Sequence, residues 1–215
     1  MNVLIFGGGG IAQGIGRVTS ATILEQRDVD VRMMGAVAAA VQQRRPEVVV
    51  NCAGVSYVHE IGSCHPDAWE QDVFVNLIGS YHVARACCAF GVQTMIFIAS
   101  VAGMYGKPNH SSYCASKAGV ISLVQSLAME GHNAYAISPG RVDTPMRERD
   151  YPNDTPGSRL SPEQIGGVVQ EIIRGEHTPG DNIVIRKQGL TEGIREVDRG
   201  EPWRETLRVG KPVTI

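Results

Sequence analysis

The chain has 215 residues, 43% of them hydrophobic, with 20 Lys and Arg against 22 Asp and Glu for a net charge of −2. That is enough apolar material for one compact domain with a sizeable core, and the near-neutral balance gives no footprint for nucleic acid or an anionic membrane. No apolar run approaches membrane-spanning length, and a strand starting at residue 2 leaves no room for a leader, so a cytoplasmic protein is expected.

Val3-Leu4-Ile5-Phe6 is a short apolar run ending in Gly7-Gly8-Gly9-Gly10, followed by Ile11-Ala12-Gln13-Gly14-Ile15-Gly16. A buried strand, a glycine turn and a helix start can hold a dinucleotide pyrophosphate: the glycines admit the phosphates and the helix N-terminus supplies amide donors. Residues 15–26 read as a helix, with Ile15, Val18 and Thr22 on one face. Val29, Val31 and Met33 alternate as in a short strand, and residues 35–45 are Ala-rich and helical up to Pro46. Glu47-Val48-Val49-Val50 is a buried strand leading into Asn51-Cys52-Ala53-Gly54. Pro66 opens a helix running to about residue 89, and Met95-Ile96-Phe97-Ile98-Ala99 is a strand with Ser100 at its end. A helix over 112–130, a strand at Ala134-Tyr135-Ala136-Ile137 and a last strand at Asn182-Ile183-Val184-Ile185-Arg186 complete the pattern. Strand–helix alternation of this kind predicts a Rossmann-like, doubly wound parallel sheet with helices on both faces, whose ligands bind at the carboxyl ends of the strands.

Five scattered cysteines, Cys52, Cys64, Cys87, Cys88 and Cys114, read as reduced thiols. His59, Cys64 and His65 fit no common zinc spacing, and no metal is expected.

The pattern richest in chemistry is Tyr113-Cys114-Ala115-Ser116-Lys117, with Ser100 upstream. Residues four apart on a helix share one face. An ammonium about 4 Å from a phenol, at an effective dielectric of about 20, is worth about 4 kcal/mol, close to three pKa units. That would bring Tyr113 into range as a general acid or base. Alone, the spacing also occurs on ordinary amphipathic helices.

With the motifs in order, the chain resembles the short-chain dehydrogenases/reductases in their single-domain form over about residues 1–188. Gly10-x-x-x-Gly14-Ile15-Gly16 looks like the family's cofactor loop and Asn51-Cys52-Ala53-Gly54 like its N-N-A-G turn. Asn76-Leu77-Ile78-Gly79 looks like the segment carrying its active-site Asn, and Pro139-Gly140-Arg141-Val142-Asp143-Thr144 like the stretch beside the nicotinamide. The resemblance implies an NAD(P)(H)-dependent oxidoreductase acting on a small-molecule alcohol or carbonyl. Tyr113 would be the general acid/base, Lys117 would depress its pKa and bind the ribose, Ser100 would polarise the substrate oxygen, and Asn76 would keep a water behind Lys117. Gly7, Gly10, Gly14, Ile15, Gly16, Asn51, Ala53, Gly54, Pro139, Gly140, Val142 and Thr144 would line the cofactor, with Val142 and Thr144 anchoring its carboxamide. A homodimer or homotetramer is implied through the helices near 69–89 and 112–130.

Three departures stand out. Only 34 residues separate Gly16 from Asn51, so one edge βα unit is expected to be missing. If residues 29–33 form the second strand, no acidic residue ends it and Arg32 leans toward the 2′-phosphate of NADP(H); if Asp30-Val31 is instead the family's adenine contact, the preference is open. Only sixteen residues lie between Thr144 and Ser161, so the cleft is expected to stay open or to be closed by another segment. A polar tail over 189–215, with Trp203, is either a loose terminus or an arm over the cleft or a second subunit. The shortened scaffold motivates one alternative, a non-catalytic dinucleotide-binding or sensor module. Tyr105, His110 and Met146 are positional candidates for substrate contacts.

Overall fold

Short apolar strands, buried on both faces, stack side by side in parallel at the centre of the molecule, as fully covered parallel sheets require. The computed structural model describes residues 1–155 and 157–187, together with the backbone of 203–207. The strands are β1 (Val3–Phe6), β2 (Thr22–Leu24), β3 (Val48–Asn51), β4 (Thr94–Ile98), β5 (Ala134–Pro139), β6 (Asn182–Arg186) and β7 (Trp203–Leu207). Their order across the sheet is β2-β1-β3-β4-β5-β6-β7, with β1 to β6 parallel and β7 antiparallel to β6. The direction of strand order reverses at β1, so β1 and β3 diverge into opposite crossovers and leave a crevice above their carboxyl ends.

Helices cover both faces. On one face α1 (Gly10–Thr19) is joined by a helix, numbered below as α7, over Pro162–Ile173, and Ile15, Ile165, Val168 and Val169 pack on Ile5, Val50 and Ile183. On the other lie α2 (Met34–Arg44), α3 (Pro66–Val73), α4 (Gly79–Phe90) and α5 (Ser111–Met129). There Val37, Val41, Val83, Val120 and Val124 meet Leu4, Phe6, Val49 and Phe97. A short helix α6 (Pro145–Asp150) precedes α7. Between α3 and α4 the chain widens into one π-helical turn, Phe74–Ile78, a distortion that recurs at functional sites. The whole run Pro66–Phe90 is long and apolar enough to cross a membrane by length and composition. It nevertheless packs on α2, α5 and the sheet, and buries Asp72, Asn76 and Ser80, as a core helix does.

Two expected elements are corrected. The helix expected over 15–26 stops at Thr19, capped by Ser20 in the left-handed region at φ 54°, and the chain re-enters the sheet at once as β2. The strand expected at 29–33 is a string of turns. Asp28 Oδ2 accepts from Glu25 N at 2.9 Å, and Asp30 Oδ1 accepts from Arg32 N at 2.9 Å, so each carboxylate folds the backbone around itself. The second strand is therefore present, and α2 follows the turns directly, with no further βα unit between. Within the expected tail, residues 203–207 extend the sheet beside β6; residues 188–202 and 208–215 lie outside the described residues.

Candidate active site

The glycine loop forms one end of a groove along the carboxyl edge of the sheet. Gly7 follows β1 at φ +102°, and a Cβ there would lie 2.7 Å from Ala53 N and 2.8 Å from Cys52 C. Only glycine fits, because the backbone is left-handed and β3's continuation presses against it. Gly7→Ala is therefore expected to cost roughly 2–4 kcal/mol, seen as a lowered Tm; an unchanged melting curve would mean the loop is free to move. Gly8, Gly9 and Gly10 continue along the cleft wall into the first turn of α1, where the amides of Gly10 and Ile11 have no intrahelical acceptor. Gln26, Asp30, Val31, Arg32, Ala53, Val55 and Tyr57 line the same cleft.

A second cleft continues from the first. Ile11, Cys52, Gly54, Thr144 and Met146 border both. Its floor carries Ser100, Tyr113 and Lys117, with Pro139, Gly140 and Val142 beside them. Ser100 follows β4 by two residues in extended backbone, its Oγ accepting from Ala102 N at 3.1 Å. Tyr113 and Lys117 share the inner face of α5, with Lys117 Nζ 5.7 Å from the Tyr113 ring centroid. Lys117 is 4% exposed and donates to the carbonyl of Ile98 at 2.8 Å.

The electrostatic balance differs from the one the spacing suggests. Burial pushes the Tyr113 phenol up to about 12, against a hydrogen bond from Ser100 that pulls it down. Burial likewise pushes Lys117 down to about 8, with Cys52 and Asp72 opposing. Desolvation is the leading effect on both groups, and the ammonium is bonded to the Ile98 carbonyl. Burial also lifts the Cys52 thiol to about 12, so it is a neutral wall residue.

Asn76 sits in the π-turn, fully buried. Its Oδ1 accepts from Val55 N at 2.8 Å, while its Nδ2 donates to Val55 O and Ser116 Oγ, each at 3.0 Å. Its carbonyl accepts from Ser80 Oγ at 2.6 Å. The side chain thus clamps the β3 extension onto α5. Asn51 has a similar structural setting: it is 2% exposed, bonds Ser80 Oγ at 2.9 Å, and accepts from Ala53 N at 3.2 Å. Gly54 is squeezed between Asn76 and Lys117, a Cβ there lying 3.2 Å from Asn76 Oδ1 and 3.4 Å from Lys117 Nζ. Gly14, Ile15 and Gly16 border neither cleft. A Cβ on Gly14 would meet Pro162 of α7 at 2.3 Å, one on Gly16 would meet Ile23 at 2.8 Å, and Ile15 is buried in the core. These three let α1 approach its neighbours closely.

The short stretch after Thr144 forms a wall over the second cleft. Met146, Arg147 and Asp150 of α6 border it, with Tyr151. Asp154, only 8% exposed at its side chain, receives Arg147 Nε at 2.6 Å and Arg159 Nε at 3.2 Å, and these guanidinium groups hold its carboxyl below the usual range. Arg149 donates to Ser56 O at 2.8 Å, and Tyr151 OH meets His110 Nε2 at 2.9 Å. Of the positional candidates, His110 and Met146 border the cleft; Tyr105 instead lies under the Lys107 and Arg186 side chains, 5.9 and 5.8 Å from its ring centroid. Sequence reading missed Arg147 and Tyr151 as cleft residues, because nothing in a Pro- and charge-rich stretch announces a six-residue helix. Among the described residues no group of His, Cys, Asp or Glu is placed to hold a metal ion.

The family model for short chain dehydrogenases matches residues 26–155. D-beta-hydroxybutyrate dehydrogenase of Rhizobium meliloti is 30% identical over 140 residues, covering 61% of this chain and 54% of that protein. The 3-oxoacyl-[acyl-carrier-protein] reductase FabG of Thermotoga maritima is 30% identical over 148 residues, covering 61% and 60%. The (3R)-3-hydroxyacyl-CoA dehydrogenase of Homo sapiens is 35% identical over 115 residues, covering 49% and 44%. The chain thus spans about half the length of the curated relatives it matches. Among solved structures, ligand-free aldohexose dehydrogenase of Thermoplasma acidophilum superposes with a TM-score of 0.70 at 21% identity, covering 83% of this chain and 90% of that one. A short chain dehydrogenase/reductase family protein gives a TM-score of 0.74 at 21% identity, covering 86% and 94%. At that identity the likeness is one of fold.

Proposed function

We propose that this chain, which belongs to the short-chain dehydrogenase family, is an NAD(H)-dependent oxidoreductase acting on a secondary alcohol or its ketone. The observation that carries the reading is one continuous groove with a glycine cradle at one end and Ser100, Tyr113 and Lys117 on the floor of the other. The cradle fits a pyrophosphate: a side chain at Gly7 would strike backbone, and the α1 amides point into the space left open. When bound, the nicotinamide supplies or accepts the hydride. Ser100 then holds the substrate oxygen beside the Tyr113 phenol. A phenol held near 12 is protonated at neutral pH. It is still far more acidic than an aliphatic alcohol, whose hydroxyl is as weak an acid as water, so proton donation to the alkoxide formed by hydride addition runs downhill. This favours carbonyl reduction at neutral pH. Lys117 and the Val142–Thr144 wall would flank the nicotinamide ribose and carboxamide.

NAD(H) rather than NADP(H) is the cofactor we propose. Glu25 is the first residue after β2, and its Cγ lies 2.5 Å from where a Cβ on Gly8 would stand. A carboxylate at the end of the second strand, beside the glycine loop, accepts from a ribose 2′-hydroxyl and repels a 2′-phosphate. Arg32, the residue that leans toward NADP(H) in the sequence, is held by Asp30 at 2.5 Å and Gln71 at 3.2 Å, whereas the Glu25 carboxylate is paired with the largely exposed Arg27 at 3.2 Å, a partner in reach of water. Wild-type protein is expected to bind NADH at least about tenfold more tightly than NADPH, and Glu25→Gln to narrow the gap. Tighter NADPH binding by the wild type would reverse the assignment.

For substrate, three relatives, a D-beta-hydroxybutyrate dehydrogenase, a 3-oxoacyl-[acyl-carrier-protein] reductase and a (3R)-3-hydroxyacyl-CoA dehydrogenase, support 3-oxoacyl and 3-hydroxyacyl compounds as the class to assay first. Phe74, Tyr81 and Phe90 remain exposed on the run Pro66–Phe90, which supports a homodimer or homotetramer through that face. A monomeric mass by sedimentation would reject it. A cytoplasmic setting accords with five free thiols. The first functional assay is NADH oxidation with a 3-oxoacyl thioester, in wild type and Tyr113→Phe alike.

A further inference from the structure

The helical run from α3 through the π-turn is tied to the start of α5 by three polar rungs. Trp69 Nε1 donates to Ser111 Oγ at 3.1 Å, Ser112 Oγ donates to Asp72 Oδ2 at 2.5 Å, and Asn76 Nδ2 donates to Ser116 Oγ at 3.0 Å. The last two rungs repeat each other four residues apart on both helices, and each serine stands immediately before a residue of the site, Ser112 before Tyr113 and Ser116 before Lys117. Asp72, Asn76, Ser112 and Ser116 are all fully buried.

The middle rung is chemically unlike the others because it carries a carboxyl group. Its Oδ1 has no side-chain hydrogen-bond partner among the described residues, and the backbone N–H of Tyr57 faces the carboxylate. An apolar residue would pack in a helix core without this expense, since burying a carboxylate costs several kcal/mol unless other groups compensate. The titratable and charged groups that act on it come from every neighbouring element: His59 from the segment after β3, Lys117 and Tyr113 from α5, and Arg149 from α6. Burial raises its pKa, while Ser112, the Tyr57 backbone N–H, His59 and Lys117 all favour the anion. The carboxylate in turn stabilises the Lys117 ammonium and disfavours the Tyr113 phenolate.

We infer that Asp72 is a positioning residue for the reaction proposed above: it fixes the first turn of α5 through Ser112, and it is the buried acidic group of α3 that acts on both Tyr113 and Lys117. The two parts of this role come apart in two variants. Asp72→Asn keeps the shape and an acceptor for Ser112 but removes the acid, whereas Ser112→Ala keeps the carboxyl group and breaks the rung.

The inference rests on the oxidoreductase reading for its kinetic part, but Tyr113 can be followed without turnover. The ultraviolet absorption of phenolate, taken as the difference between each protein and its Tyr113→Phe partner, reports the ionisation of that one tyrosine. Asp72→Asn is expected to move this titration to lower pH by about half a unit or more. The alkaline limb of kcat should move the same way, with kcat falling about tenfold and the Kd for NADH unchanged. Ser112→Ala should lower kcat without moving the titration. An unmoved Tyr113 titration in a folded Asp72→Asn protein would overturn the inference and leave Asp72 as a packing residue. If Asp72→Asn does not fold, Asp72→Glu decides in its place: it restores the charge at a displaced position, so a phenolate titration matching the wild type with reduced kcat supports the role, and wild-type kcat with an altered titration refutes it. Absence of turnover by wild type with a shifted titration would reject the reaction and keep the electrostatic role.

Discussion

Tyr113→Phe is expected to lower kcat by about 10²–10⁴-fold, the range spanned by loss of a positioned general acid. NADH affinity should stay within a few-fold, because the phenol contributes one hydroxyl to a groove whose other end does most of the holding. Folding should hardly change. Ser100 keeps its bond from Ala102 N at 3.1 Å, and the lost hydroxyl takes with it one hydrogen bond worth about 1 kcal/mol. Stopped-flow measurement of a single NADH turnover separates the chemical step from product release. A variant retaining more than about a tenth of wild-type kcat would remove Tyr113 from the proton-transfer role.

Lys117→Met should abolish turnover and at the same time stabilise the protein at neutral pH. The folded chain holds this lysine at about 8, against an unfolded value of 10.5. Below pH 8 both states bind the proton and the folded state bears the full cost of a buried ammonium. Between about 8 and 10.5 the unfolded state binds more protons than the folded one, so stability rises with pH across that window. A depression of this size corresponds to roughly 3 kcal/mol, and the lost bond to the Ile98 carbonyl returns about 1 kcal/mol of it. The methionine variant is therefore expected to be about 1–2 kcal/mol more stable at pH 7, with the difference closing as pH approaches 10. Urea denaturation at pH 7 and pH 9.5 measures both. A variant less stable than wild type at pH 7 would mean that Asp72 and the Ile98 carbonyl compensate the charge fully.

Much of this arrangement is legible in the sequence, and the exceptions have physical causes. The buried strands Val48–Asn51 and Thr94–Ile98 are near-continuous apolar runs with loop signals after them, which fixes their identity and the side on which Asn51 and Ser100 emerge. β2 is not legible because it has three residues, and because the helix before it ends on Ser20 in a left-handed conformation without a glycine to announce it. Val29, Val31 and Met33 imitate a strand by alternation, yet Asp28 and Asp30 turn the chain through their own carboxylates. That exchange moves the end of the second strand from Met33 to Leu24 and brings Glu25 beside Gly8, while Arg32 stays on the wall of the same cleft. The roles of Gly14 and Gly16 are invisible in a motif because close helix packing and close phosphate approach both demand glycine. The Tyr113–Lys117 spacing gives the shared helix face but not the desolvation that sets both groups' protonation, which depends on Asp72 and Ile98, distant in sequence.

The most direct test is a titration of the purified protein with NADH, followed by nicotinamide fluorescence. Saturable binding in the micromolar range, lost in Gly7→Ala and weaker for NADPH, is the predicted result. No binding of NADH or NADPH at millimolar concentration would contradict it, and would mean that the groove between the glycine loop and Tyr113 is not a dinucleotide site.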